Sequence, residues 1–118
     1  MQNSKQYDLE DRTKKFAVEC RKFILQLSKT IGNYEDSKQL VRASGSQAAN
    51  YIEANEALSK KDFSMRIKIC RKEAKECQLW INLVDINENP KLKEIQVILL
   101  QEAKELTKIF GSILEKTK

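Results

Sequence analysis

The chain has 118 residues and a net charge of +5, because 22 Lys and Arg residues outnumber 17 Asp and Glu residues. This length suits one domain with a buried core, and the presence of only three Gly and one Pro favours helices over a turn-rich β fold. The lack of His argues against catalysis by an imidazole and against a di-metal Glu-x-x-His bundle. We therefore expect a single all-α domain over residues 1–118 that is not an enzyme and needs no metal or cofactor.

Helix one is predicted from apolar residues that recur in steps of three and four. We expect it over residues 9–30, with Asp8 as its N-cap and Gly32-Asn33 as its stop signal. Residues 1–6 precede this pattern and are expected to be disordered. The predicted core stripe consists of Leu9, Thr13, Phe16, Cys20, Phe23 and Leu27.

Helix two is expected over residues 37–57, with Asp36 or Ser37 as its N-cap. Its middle, Ala43–Ile52, contains no charged residue in a chain that is 33% charged. Such a segment, rich in small residues, favours close contact with other helices on more than one side. The predicted core stripe consists of Leu40, Ser44, Gln47, Tyr51 and Leu58.

Helices three and four have the clearest start signals. Helix three is expected over residues 60–86 after the capping pair Ser59 and Asp62, and helix four over residues 91–116 after Asn89-Pro90. Their predicted core stripes are Phe63, Ile67, Cys70, Ala74, Cys77, Ile81 and Val84 in helix three, and Leu92, Ile95, Leu99, Leu106, Ile109 and Ile113 in helix four.

Three short connections between helices of similar length make neighbouring helices antiparallel. The sequence therefore predicts an antiparallel up-down-up-down four-helix bundle.

The three cysteines, Cys20, Cys70 and Cys77, fall in core positions. Their small and odd number argues against a disulfide framework and predicts a protein of the reducing cytoplasm. We expect no signal peptide and no association with membranes, since no apolar run approaches about 20 residues.

Helix three carries two more surfaces besides its core stripe. A basic strip could contact the phosphates of a nucleic acid, or it could be an ordinary solvated face. A second apolar arc could contact another copy of the chain, or it could extend a broad core. The basic strip consists of Lys61, Lys68, Arg71, Lys72 and Lys75, and the apolar arc of Met65, Ile69, Trp80 and Leu83.

Four polar residues lie beside the apolar stripes of helices two and three: Asn50, Glu53, Glu73 and Glu76. They could be ordinary polar residues at the edge of the core, or they could form a hydrogen-bonded set that fixes the register of helices or subunits. Their spacing suggests no acid–base pair.

Helices one to three contain an ordered set of motifs: Tyr7-Asp8-Leu9, Arg12-Thr13, Phe16-Ala17, Arg42–Ala54, Asp62-Phe63 and Ile67–Ile81. This set resembles the bacterial four-helix bundle family known as 23S rRNA intervening-sequence proteins. Most informative are Arg42-Ala43, Ser46, Asn50 and Glu53, followed by Lys72-Glu73-Ala74, Glu76 and Trp80. The resemblance covers about residues 7–84; helix four agrees only in length and periodicity.

The resemblance implies an antiparallel bundle that assembles into a homopentamer, with Asn50, Glu53, Glu73 and Glu76 in structural roles. A similar branch, the accessory proteins of diversity-generating retroelements, binds a reverse transcriptase and nucleic acid through a basic surface. We therefore expect a non-enzymatic, homo-oligomeric bundle that binds ribosomal RNA or a ribonucleoprotein. The alternative is a protein–protein interaction scaffold that does not bind nucleic acid.

Overall fold

The computed structural model describes residues 4–118, with side chains from residue 9 onward. The helices in this range are α1 (Ser4–Leu25), α2 (Ile31–Asn55), α3 (Lys60–Leu83) and α4 (Pro90–Lys116). Each helix packs against the next one along the chain, and α4 also packs against α1. Within residues 4–118 the backbones of diagonally opposed helices make no close approach, which confirms the predicted four-helix architecture.

Hydrogen bonds between helices show the antiparallel order directly. Between α2 and α3, Arg42 contacts Glu76 near one end and Asn50 contacts Arg66 nearer the other. Between α3 and α4, Ser64 contacts Thr117, whereas Gln96 contacts the Ile81 carbonyl. As the number rises on one helix it falls on its neighbour, as up-down-up-down connectivity requires.

The core lies where the four apolar stripes meet, and phenylalanine side chains fill much of it. Phe16, Phe23 and Phe110 are almost fully buried, and the Phe110 ring lies 6.1 Å from the ring of Tyr51. The structure corrects one predicted core residue, Leu58, which is fully exposed because α2 ends at Asn55. The loop that follows turns the Leu58 side chain away from the bundle into solvent.

The junction between α1 and α2 differs most from the sequence prediction. Helix α1 ends at Leu25, not at residue 30, and α2 begins at Ile31, not at residue 37. The N-cap is Thr30, whose backbone is extended and whose hydroxyl accepts a hydrogen bond from the Asn33 N–H. Gly32-Asn33 was interpreted as a stop signal but lies in the first turn of α2.

The buried Asn33 side chain explains this shift. Its amide nitrogen donates to the carbonyls of Ser28 and Asp85, at 3.0 and 2.9 Å, and its oxygen accepts from the Asp85 N–H at 2.7 Å. Asn33 therefore joins the α1–α2 loop to the α3–α4 loop at one end of the bundle. An Asn with such tertiary partners serves a different purpose from an Asn that terminates a helix.

The first residues of the chain also depart from expectation. Helix α1 begins at Ser4, so Asp8 lies inside it and residues 4–6 form its first turn. The remainder of the segment expected to be disordered, residues 1–3, lies outside the described residues.

Helices α3 and α4 begin where their capping signals predict. The Ser59 hydroxyl accepts from the Asp62 N–H at 3.0 Å, and the Asn89 side chain accepts from the N–H groups of Lys91 and Leu92. Helix α3 ends three residues earlier than expected, at Leu83, and the turn that follows contains two residues with positive φ, Asn87 and Glu88. This turn redirects the chain into α4.

The uncharged segment of α2 packs against α1 through small and polar side chains. The buried Gln47 amide donates to the Thr13 carbonyl at 2.9 Å. Arg21 crosses the same interface and donates to the Ser44 hydroxyl at 3.3 Å. A Cβ atom at Gly45 would lie 3.3 Å from the Arg21 guanidinium, so the missing side chain leaves room for this crossing.

Helices α1 and α4 close the bundle, and one arginine spans their boundary. Arg12 donates two hydrogen bonds to Glu102, at 2.7 and 2.8 Å, and one to Glu105 at 2.8 Å. The hydrogen bond to Glu102 raises the pKa of the Arg12 guanidinium above its usual value. None of the described helices is long and apolar enough to cross a membrane.

Candidate nucleic-acid interface

A basic groove lies between α3 and the C-terminal end of α4, and its open volume is about 560 Å³. Four of the five residues of the predicted basic strip line it. The lining residues are Ser64, Lys68, Arg71, Lys72, Lys75, Leu114, Glu115, Thr117 and Lys118. We call this surface the basic groove.

The α3 wall of the basic groove is a row of cations. Lys68, Lys72 and Lys75 are spaced by four and three residues, so they share one face of the helix and extend over about 10 Å of its length. All three are exposed, and within the described part of the chain none of them forms an ion pair. Their charges are therefore available to an external anion.

Arg71 lines the groove where α3 approaches Gly111 of α4. A Cβ atom at Gly111 would lie 3.7 Å from Arg71 Nε and 3.9 Å from its Cζ. These are ordinary van der Waals distances, so the guanidinium of Arg71 lies beside Gly111 with room for a methyl group between them. Arg71 is exposed and contributes its charge to the groove.

The α4 wall contains residues that sequence analysis did not identify. Lys118 forms an ion pair with Glu115 at 2.9 Å, and Leu114 adds an apolar surface. At one end of the groove, the Ser64 hydroxyl donates to the Thr117 hydroxyl at 3.3 Å. The antiparallel register of α3 and α4 was the signal that could have placed Thr117 and Lys118 opposite the basic strip.

Lys61 is the one member of the predicted basic strip that does not line the groove. It is exposed in the first turn of α3 and precedes Ser64, at the end of the groove where Ser64 and Thr117 meet. Lys61 can add to the charge near this end without lying inside the groove.

On its other flank, α3 contacts α2 through a polar network. Arg42 donates to Glu73 at 3.0 Å and to Glu76 at 3.2 Å. The Glu73 side chain is only 7% exposed, and its second oxygen has no partner within the described residues. The hydrogen bond to Glu73 raises the pKa of the Arg42 guanidinium.

Two of the four predicted polar residues connect to each other through Ser46. The Ser46 hydroxyl donates to Glu73 at 3.2 Å and accepts from Asn50 at 3.2 Å, and Asn50 also accepts from Arg66 at 3.0 Å. Sequence analysis did not assign roles to Arg42, Ser46 and Arg66. Glu53 is exposed and has no side-chain hydrogen bond among the described residues, so it stays outside this network.

The predicted oligomer arc is divided between surface and core. Met65 and Leu83 are 47% and 53% exposed, as expected of a surface patch. Ile69 and Trp80 are half-buried, and Trp80 packs against the hydrophobic core. The indole N–H of Trp80 is buried without a partner in the described residues. Trp80 therefore contributes to the core of the protomer, and the assignment of the four arc residues to an oligomer interface stays a prediction, with Met65 and Leu83 the most exposed of them.

The three thiols lie in the core. Burial raises the pKa of Cys20 and of Cys70 to about 12, and it raises the pKa of Cys77 further above its usual range. Thiols that remain protonated at neutral pH are poor nucleophiles and poor metal ligands. Among the described residues, no group of three or more His, Cys, Asp or Glu side chains is arranged to hold a metal ion.

Comparisons with known proteins agree with this architecture. A crystal structure of a protein with unknown function from the S23 ribosomal protein family of Bacteroides thetaiotaomicron has a TM-score of 0.75 and 28% identity, covering 89% of this chain and 96% of that one. A search of curated proteins finds no significant match. The family model described as 23S rRNA-intervening sequence protein matches residues 5–112. Because this match includes nearly all of the bundle, the chain belongs to the 23S rRNA-intervening sequence protein family.

Proposed function

We propose that this protein is a non-enzymatic, cytoplasmic RNA-binding bundle that contacts RNA through the basic groove. The observation that carries the proposal is the row of unpaired cations on α3, Lys68, Lys72 and Lys75, facing a second wall that contains Lys118. Lysines that neutralise phosphates release condensed counterions, which supplies most of the free energy of sequence-independent binding. The family description, which refers to 23S rRNA, makes ribosomal RNA the first ligand to test.

Charge distribution supports the groove over other surfaces of the bundle. Elsewhere on the bundle, several exposed cations have a carboxylate partner, such as Lys22 with Glu19 and Lys38 with Glu35. In the basic groove the single carboxylate, Glu115, is paired with Lys118 and faces four other cations. An approaching polyanion therefore meets a local excess of positive charge at this groove.

The test is RNA binding by a variant that carries Lys68→Glu, Lys72→Glu and Lys75→Glu. A fluorescently labelled 23S rRNA fragment is titrated with protein, and its anisotropy is measured over a range of salt concentrations. We expect the affinity to fall about 100-fold at roughly 0.1 M salt, and the slope of log affinity against log salt to decrease by about three.

The matched control replaces three exposed lysines outside the groove, Lys14, Lys29 and Lys91, by Glu. This control has the same net charge as the groove variant, so it separates a local effect from a general loss of positive charge. Circular dichroism verifies that both variants stay helical. Equal loss of RNA binding in the two variants would contradict the assignment of the groove.

We propose in addition that the bundle forms a homo-oligomer, a pentamer, through the exposed part of the α3 apolar arc. The support is that Met65 and Leu83 leave about half of their surface exposed, while the neighbouring Leu79 is 50% exposed. Exposed apolar side chains grouped on one face are typical of contacts between protein chains.

Light scattering on a Met65→Glu, Leu83→Glu variant tests this assembly. We expect smaller species than the wild type forms, with helicity unchanged, because both side chains lie outside the core. A matched control places Glu at Leu25 and Ile31, which are 85% and 86% exposed away from the arc. A monomeric wild type would overturn the proposal and favour the alternative, a scaffold for a different protein.

A further inference from the structure

The side chains of the basic groove determine which form of RNA it suits. Its lining consists of five cations, one carboxylate, two hydroxyls and one leucine, and includes no aromatic ring and no Asn or Gln side chain. Aromatic rings hold single strands by stacking on bases, which contributes about 1–3 kcal/mol per base. Side-chain amides read the edges of bases in sequence-specific recognition. The groove thus offers no aromatic platform for an unpaired base and no side-chain amide for a base edge, and its many cations are suited above all to phosphates.

Arg71 is the one lining residue whose planar group could stack on a base. Its guanidinium lies beside Gly111 of α4, among four lysines and with no aromatic ring in the lining. Arginine binds a phosphate through two parallel hydrogen bonds. In this surrounding Arg71 is suited to a phosphate rather than to a base.

The lysine row on α3 also favours a ligand with high linear charge density. Lys68, Lys72 and Lys75 are fixed to one rigid helix and extend over about 10 Å. A nucleic-acid duplex presents one negative charge per roughly 1.7 Å of its axis, compared with roughly 3.4 Å for one strand. Over the length of this row a duplex offers about six phosphates and a single strand about three.

We infer that the basic groove binds the phosphate backbone of double-stranded RNA and does so without reading its sequence. This inference rests on the proposed RNA-binding function of the same groove and specifies its ligand. The cations of α3 and Lys118 contact phosphates from two sides. The hydroxyls of Ser64 and Thr117 donate to Thr117 and to the Leu114 carbonyl, so at the end of the groove they are left to accept from a ribose 2′-hydroxyl.

Three RNA probes test the inference with the full-length protein under one salt condition. Two are short duplexes of the same length and unrelated sequence, and the third is an oligouridylate with the same number of nucleotides per strand. We expect the two duplexes to bind with dissociation constants within about twofold of each other, and the oligouridylate to bind at least about tenfold more weakly.

Binding of oligouridylate as tightly as the duplexes would overturn the inference, as would a difference above about tenfold between the two duplexes. In either case the proposed RNA-binding function stands if the Lys68→Glu, Lys72→Glu, Lys75→Glu variant has lost affinity. If the wild type binds none of the probes, or the variant binds them as well as the wild type, the proposed function fails and the inference fails with it.

Discussion

The two flanks of α3 use their charges in opposite ways. On the flank that faces α2, Arg42 from the neighbouring helix is matched by Glu73 and Glu76, and Arg66 is matched by Asn50. On the flank that faces α4, the lysines of the basic groove have no carboxylate partner on α3 and meet only Glu115 from α4. The same helix therefore carries a closed polar network on one side and an open set of cations on the other.

This difference shows which charges support the protomer and which are available to a ligand. Glu73 is nearly buried, so the loss of its cation would leave the carboxylate with the Ser46 hydroxyl as its one remaining donor among the described residues. The groove lysines are solvated, so their loss costs the fold little. Changes on the two flanks should consequently separate stability from RNA binding.

The largest expected effect is that of Arg42→Ala on stability. Glu73 is buried but Arg42 is 49% exposed, so solvent screens part of their interaction, and we expect the free energy of unfolding to fall by about 2 kcal/mol, as for a buried acceptor that loses one partner. Urea unfolding measures the loss. As a matched control, Arg66→Ala removes an arginine bound to the neutral Asn50 amide and should cost about 1 kcal/mol. Loss of RNA affinity in the Arg42 variant, comparable with that of the groove variant, would contradict the division between the flanks.

The next largest effect is a loss of stability at high pH, caused by Cys70 and Cys77. Both lie on the core face of α3, between its two flanks. Unfolded thiols ionise near pH 8.5, whereas burial raises the pKa of Cys70 to about 12 in the folded protein. The stability that each protonated thiol represents is therefore complete below about pH 8.5 and is lost as the pH rises toward the folded pKa. We expect a loss of up to about 1.4 kcal/mol per pH unit for each thiol above roughly pH 9.

Urea unfolding between about pH 8 and pH 10 measures this slope. In a Cys77→Ala variant the slope should be smaller by the contribution of one thiol, even though the variant is less stable at every pH because of its smaller side chain. An unchanged slope would show that this thiol titrates alike in the folded and unfolded chains.

A smaller effect, of opposite sign, is expected at Gly111. Its substitution by Ala places a Cβ at ordinary contact distance, 3.7 Å, from Arg71 and reduces the freedom of the unfolded chain, so we expect about 0.5–1 kcal/mol of added stability. The matched variant is Gly45→Ala, whose Cβ would lie 3.3 Å from Arg21 and displace it. Thermal unfolding should show a gain only for the Gly111 variant. An equal gain at both sites would show that Arg21 moves aside at no cost.

The smallest effect on stability is expected from Lys75→Gln, within about 0.5 kcal/mol of wild type. The same substitution should lower RNA affinity and decrease the salt slope by about one, because it removes one phosphate contact. Lys14→Gln, on an exposed face of α1, serves as the control and should change neither quantity. A substantial loss of stability in the Lys75 variant would show that the open flank also supports the fold.

The parts of the fold that the sequence predicts correctly depend on local signals. The Ser59 and Asn89 caps are determined by neighbouring residues, and the structure shows both in use. The apolar stripes depend on helical periodicity, and all of the core residues predicted for helix one are buried, including Leu27 just beyond the end of α1. The prediction that Leu58 is buried is wrong because the apolar pattern was extended past Asn55, where α2 ends.

The features that could not be predicted depend on contacts between distant residues. Thr30 caps α2, yet the reason that the helix begins there is the contact of Asn33 with Asp85, 52 positions away. In the basic groove, the lysine row of α3 could be recognised in the sequence. The residues of the α4 wall could not, because their position depends on the register between α3 and α4. In the polar network, Arg42 and Ser46 join Glu73 only because α2 and α3 pack at this height.

The contacts of Asn33 also restrict which bundles this sequence can form. Four amphipathic helices can bury similar apolar surfaces after one helix slides by a turn, about 5.4 Å, along its neighbours. The Asn33 amide reaches Ser28 and Asp85 together only when the α1–α2 and α3–α4 loops lie at the same height. A slipped arrangement would leave this buried amide without partners, at a cost of about 1–3 kcal/mol. One polar side chain at the end of the bundle thus discriminates against competing alignments that the apolar core alone would tolerate.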